Sequence, residues 1–175
     1  MSTISIKILS LVVITNGVFA SDCESIADRT EELSKCCTVQ DPFPREAFMK
    51  CYNAAQGTNE EKIICAAECN FRENGILGPN NELNEEKALD YVDHIEQDEW
   101  REQVADIVQS CWAKLDAMKQ ASAERTTKCP LFYMMMQMCL ANRKFVNCPA
   151  REWHSSEFCE VAKQSQCLNT FSNGA

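Results

Sequence analysis

Residues 129–144 read CPLFYMMMQMCLANRK, and this stretch decides the fold. Pro130 stands where a helix tolerates proline, in the first turn, because the missing N–H has no intrahelical partner to lose. From Leu131 to Lys144 the spacing predicts a helix that is apolar almost all round, interrupted by Gln137. Such a helix is stable in water when other helices surround it. The stretch therefore predicts an all-α, compact bundle with this helix at its centre.

The flanking sequence supplies the surrounding helices. Asp98 to Gln120 carries Trp100, Val104, Ile107, Val108, Cys111, Trp112, Leu115 and Met118 at three- and four-residue spacing, the signature of one long helix with a buried face. Upstream, Thr58-Asn-Glu-Glu61 is a capping box that opens a helix running to Glu73, and Asn74-Gly75 supplies a left-handed stop. Further helices are expected over Asp22–Lys35, Arg45–Ala55 and Asn84–Glu96, with Ile76–Asn81 a loop and Ala121–Lys128 a polar connector. Pro149 to Asn169 holds one or two more. Alternating β-branched runs are absent. The total is about seven to eight helices in one domain.

Met1 to Ala20 reads as a signal peptide. A lone Lys7, a short apolar run ILSLVVI over 8–14, and small residues before a cut after Ala20 form that pattern. The mature domain would span 21–175, secreted and extracellular. No later stretch suits membrane insertion. Loss of Lys7 takes the formal charge from −9 to −10. So acidic a surface repels phosphate backbones, which excludes nucleic acid as a partner.

Twelve cysteines follow the signal segment: Cys23, Cys36, Cys37, Cys51, Cys65, Cys69, Cys111, Cys129, Cys139, Cys148, Cys159 and Cys167. An even number in an exported chain reads as a disulfide framework. A metal site is not expected, since there is no C-x-x-C pair and His94 and His154 are the only histidines. Adjacent Cys36 and Cys37 are poorly placed to bond each other and should clamp two different neighbours. Cys65 and Cys69, four apart, share one helix face and can tie it to two other elements.

This array resembles that of the insect odorant-binding proteins. Their six-cysteine pattern maps onto Cys36 or Cys37, then Cys65, Cys69, Cys111, Cys139 and Cys148. The interval from Cys129 to Cys139, Pro149 directly after Cys148, and the pair Cys159 and Cys167 resemble the longer Plus-C branch, which makes 149–175 a C-terminal extension. The resemblance implies pairs Cys65–Cys139, Cys111–Cys148, and Cys69 with Cys36 or Cys37. It implies a carrier that reversibly binds small hydrophobic odorant or semiochemical molecules in extracellular (sensillar) fluid. A homodimer or an encounter with an odorant receptor are the partners it suggests.

Methionines 134, 135, 136 and 138 beside Phe132 and Tyr133 fit both core filling and ligand lining, because Met is flexible and polarisable. Composition favours core; the resemblance favours a cavity. The candidate ligand-binding residues are Val104, Ile107, Val108, Trp112, Leu115, Phe132, Tyr133, Met135 and Met136, with Tyr133 or Gln137 as polar contacts. No nucleophile elbow, zinc-protease motif or phosphate loop is present, so no catalytic residue or cofactor is expected. His94, among Asp90, Asp93, Glu96 and Asp98, reads as exposed on an acidic face, with a pH-triggered release as the alternative. A secreted helical interaction protein without a small-molecule ligand is the competing function, and an exposed apolar patch near Trp153 and Phe158 would mark it.

Overall fold

The computed structural model describes Ile26, residues 29–41 and residues 43–165. The expected signal segment, Cys23, Cys167 and residues 166–175 lie outside them. The described residues form eight α-helices: α1 (Thr30–Lys35), α2 (Arg45–Ala54), α3 (Asn59–Glu73), α4 (Glu85–Val92), α5 (Asp98–Trp112), α6 (Leu115–Ala123), α7 (Leu131–Val146) and α8 (Glu157–Gln164). A 3-10 turn, Ala150–Glu152, precedes α8. Outside the helices, two isolated bridges, Cys37 with Trp153 and Leu77 with Leu83, are the β-type pairings among the described residues. The fold class is all-α and disulfide-rich, as the apolar stretch at 131–144 requires.

The chain divides into two units. The larger, Val39–Asn147, holds α2 to α7. In it α7 packs against α3, α5 and α6, α2 packs on α3, and α4 packs on α5. Leu131–Val146 is thus the central helix of this unit, and it buries Tyr133, Met136, Cys139, Leu140, Asn142 and Phe145. The smaller unit holds α1 and everything described from Cys148 onward, with α1 packed on α8.

Helix ends follow the local chemistry. Glu61 N–H donates to Thr58 Oγ1 at 3.2 Å and Thr58 N–H to Glu61 Oε2 at 2.8 Å, so the capping box at α3 is closed in both directions. Gly57, at φ +124°, leaves room for it, because a Cβ there would strike the Glu61 carboxylate. At the other end Gly75 adopts φ +71°. Ile76 N–H then reaches back to Phe71 O and Gly75 N–H to Arg72 O, a Schellman closure that packs two fully buried side chains, Ile76 and Phe71, together.

Two helix boundaries correct the expectation. The helix expected over Asn84–Glu96 stops at Val92. His94 and Ile95 close tight bonds to Tyr91 O and Val92 O, which turns the chain and seats Ile95 in the core at 1 % exposure. The single helix expected over Asp98–Gln120 is two, α5 and α6, broken at Ala113–Lys114. Lys114 N–H bonds Cys111 O, three residues back, and the turn lets α6 pack on α7. The apolar phase runs on from Cys111 through Leu115 and Met118 to Ser122 at helical spacing, so periodicity alone conceals the bend.

The disulfides also correct the expected pairing. Cys65 bonds Cys129 rather than Cys139, Cys111 bonds Cys139 rather than Cys148, and Cys69 bonds Cys51 rather than Cys36 or Cys37. The adjacent pair clamps two different partners, Cys36 with Cys159 and Cys37 with Cys148. Packing decides this, because a bond forms only where Cα atoms come within about 7 Å. Helix α2 lies on α3 and α5 lies on α7, so Cα separations are 5.8 Å for Cys51–Cys69 and 6.0 Å for Cys111–Cys139. Six cysteines fall in the larger unit: Cys51, Cys65, Cys69, Cys111, Cys129 and Cys139. In chain order, first joins third, second joins fifth and fourth joins sixth. The implied pairs had that same interlocked order, mapped onto different cysteines. Among the described residues the smaller unit holds two further bonds, neither of them part of this interlock.

Peptide mapping under non-reducing conditions is expected to recover Cys65 joined to Cys129 and Cys111 joined to Cys139; a Cys65–Cys139 peptide would contradict the structure. Thr58→Ala should lower the unfolding free energy by about 1 kcal/mol in denaturant titration. Glu61 is held below the usual carboxylate range, first by the Thr58 N–H and then by its hydroxyl. Its contribution is therefore present above the ordinary Glu pKa and fades as pH falls through the lowered one. Glu61→Gln should remove that acid-side slope.

Candidate functional site

The nine candidate residues fall on α5, α6 and α7, all within the larger unit. Cys111–Cys139 bolts α5 to α7 at the middle of this seam. Ile107 and Val108 precede Cys111 by one helical turn, and Met136 precedes Cys139 by one, so these side chains share the faces that the bond joins. Val104, Val108 and Met136 are fully buried, Ile107, Trp112 and Tyr133 are buried, and Leu115, Phe132 and Met135 are half-buried. The α5 positions and Met136 thus form core, while Phe132 and Met135 are partly accessible.

Phe132 and Tyr133 belong to a second cluster. Their rings lie 4.0 Å apart, and Tyr133 faces Phe71 of α3 at 6.4 Å. Phe71 meets Phe43 at 5.8 Å, and Phe43 meets Tyr91 of α4 at 5.5 Å. This aromatic chain continues the site toward α3 and α4. Phe43, Phe71 and Tyr91 were not among the sequence candidates. Phe71 carried a signal, at the end of the capped helix two residues after Cys69; Phe43, between two prolines, carried none.

The two polar side chains expected to contact a ligand, Tyr133 and Gln137, both make hydrogen bonds within the fold. Tyr133 O–H donates to the carbonyl of Asn81, which pins the 76–84 loop to α7. Burial pushes its phenol up, with the Glu68 carboxylate adding to the effect. Asn70 Nδ2 donates to Gln137 Oε1 at 3.5 Å, tying α3 to α7. Tyr133, expected as a ligand contact, thus fastens a loop to α7 through its hydroxyl, and Gln137 fastens α3 to α7 through its Oε1. Trp100 Nε1 donates to Gln40 O at 3.0 Å. At the bend, the Lys114 ammonium is pushed down by burial and secondarily by the Arg143 guanidinium.

The clefts among the described residues include one on α5 and α7 and one in the smaller unit. One, of about 280 Å³, is lined by Gln103, Asp106, Ile107 and Ser110 of α5 with Arg143 and Asn147, so Ile107 is the candidate that reaches it. The other, of about 480 Å³, lies in the smaller unit between α1 and α8, with Phe158 and Val161 on its wall. There Arg29 sits 4.0 Å over the Phe158 ring and Lys163 4.2 Å over Trp153. Cations therefore cover both rings, and Val161 is the exposed apolar side chain of this region. His94 is exposed, with Nδ1 3.0 Å from Asp90 O. His154 Nε2 lies 3.2 Å from Thr38 Oγ1, which also donates to Glu152. Among the described residues no group of three or more His, Cys, Asp or Glu is arranged to hold a metal, and no helix is long and apolar enough to cross a membrane.

Burial separates the adjacent methionines. Met136→Ala should cost about 2–5 kcal/mol in denaturant unfolding, the range for a truncated core side chain. Met135→Ala, half-buried, should cost clearly less. Equal costs would mean that the two do not differ in burial.

No protein-family model matches the chain. It is 22 % identical over 148 residues to general odorant-binding protein 68 of Anopheles gambiae, an alignment covering 78 % of this chain and 70 % of that protein.

Proposed function

We propose that the protein is a secreted carrier that reversibly binds small hydrophobic molecules of the odorant or semiochemical class in extracellular fluid. The observation that carries this reading is the interlocked staple of the larger unit, whose order is the one implied by the resemblance to odorant-binding proteins. The similarity to the Anopheles protein supports it from a separate direction. The finer assignment is to the Plus-C branch, with residues 1–20 a signal peptide, 21–175 the binding domain and 149–175 an extension. Two bonds outside the interlock, Cys36–Cys159 and Cys37–Cys148, fit a core to which further cysteines have been added.

The mechanism is burial without turnover. Each Å² of apolar surface removed from water contributes roughly 25 cal/mol, so a ligand of modest size reaches roughly micromolar affinity after association costs. Flexible Met135 and Met136, together with Phe132, give way to make room, while the staple keeps α3, α5 and α7 from separating. The covered rings of Trp153 and Phe158 weigh against a docking surface for a protein partner at that place.

An apolar naphthylamine fluorophore should bind the oxidised mature protein saturably, near one per chain. Small apolar compounds should displace it, and reduction of the disulfides should abolish uptake. Absence of saturable uptake by the oxidised protein would overturn the carrier reading.

A further inference from the structure

The three tryptophans divide by what their indole N–H groups do. Trp100 Nε1 donates to Gln40 O at 3.0 Å and Trp153 Nε1 to Glu160 Oε1 at 2.9 Å. Trp112 Nε1 is buried with no hydrogen-bond partner among the described residues, in a side chain only 9 % exposed. A buried N–H left unpaired is destabilising, and native proteins rarely keep one without a reason. Trp112 is the last residue of α5, at the bend from which α5 and α6 both pack on α7. Its neighbour Cys111 is bonded to Cys139, and three residues beyond Cys139 on α7 stands Asn142. Asn142 is also 9 % exposed, and its Nδ2 is likewise without a partner. Two orphaned donors therefore stand on the two helices that the disulfide joins, one next to Cys111 in sequence and one a helical turn after Cys139.

We propose that Trp112 N–H, with the Asn142 amide as a second donor, is the polar anchor of the site, and that its ligands are apolar molecules bearing a hydrogen-bond-accepting oxygen. Ketones, aldehydes, esters and alcohols belong to that class; plain hydrocarbons do not. The inference rests on the carrier reading and narrows its ligand. Both orphaned groups are donors, so they select an acceptor. An indole is donor-only, so its preference cannot be reversed by rotating the side chain. Of the groups that sequence pointed to, Tyr133 O–H already donates to Asn81 O, and Gln137 is tied to Asn70 through its Oε1.

The test compares a straight-chain methyl ketone with the alkene of the same length, both by displacement of the naphthylamine fluorophore. Wild-type protein should prefer the ketone. Trp112→Phe keeps an aromatic ring and removes the N–H; it should weaken ketone binding about three- to tenfold and leave alkene binding within about twofold. A readout independent of that variant's folding is the indole ¹H–¹⁵N spectrum of the wild type. The Trp112 signal should move downfield on saturation with ketone and not with alkene, while the signals of Trp100 and Trp153 keep their bonded positions. Equal affinity for the two ligands, or an unmoved Trp112 signal at ketone saturation, would overturn the anchor and leave the carrier intact. Failure to take up fluorophore, ketone and alkene alike would remove the carrier reading and this inference with it.

Discussion

Two sulfurs one helical turn apart on α3 organise the larger unit. Cys69 ties the helix to α2 through Cys51, and Cys65 ties it to Cys129 at the threshold of α7. Helix α7 in turn is bolted to α5 through Cys139 and Cys111. No one of these bonds encloses another neatly; they overlap along the chain, so the helices cannot be drawn apart singly. Each bond removes entropy from the unfolded chain, typically worth about 2–4 kcal/mol. That restraint lets the central helix be built of methionines, which specify packing weakly but adapt to what they touch.

The same restraint shapes the seam between α5 and α7. Its side chains are almost all apolar, and most polar atoms nearby are used to fasten neighbours. Tyr133 holds the 76–84 loop and Gln137 holds α3. In the proposed carrier, a site assembled this way would discriminate by shape through Phe132 and Met135 and by chemistry through very few atoms. The indole N–H of Trp112 is therefore the more conspicuous for being unspent.

Sequence made helix termini legible where side chains cap them. Thr58 and Glu61 announce α3, Gly75 ends it, and Pro130 introduces α7. It could not reveal the bend at Ala113–Lys114, because the apolar spacing from Cys111 to Ser122 keeps its helical phase through the break. Nor could it reveal which cysteines meet. Spacing alone allowed the family order to be laid over Cys36 or Cys37, Cys139 and Cys148, whereas packing of α2 on α3 and of α5 on α7 selects Cys51, Cys129 and Cys139. At the site, the faces of α5 and α7 were readable from their periodicity. The engagement of Tyr133 and the isolation of Trp112 were not, since both depend on what other elements bring within hydrogen-bond reach.

In the proposed carrier an apolar ligand enters between α5 and α7, and methionine methyl groups report on it directly. A protein labelled at those methyls would be titrated with a ligand that displaces the fluorophore. Met135 and Met136 are expected to shift and saturate together with binding, while exposed Met49 on α2 stays unmoved. Ligand uptake that left both α7 signals in place, or that moved Met49 alone, would contradict it.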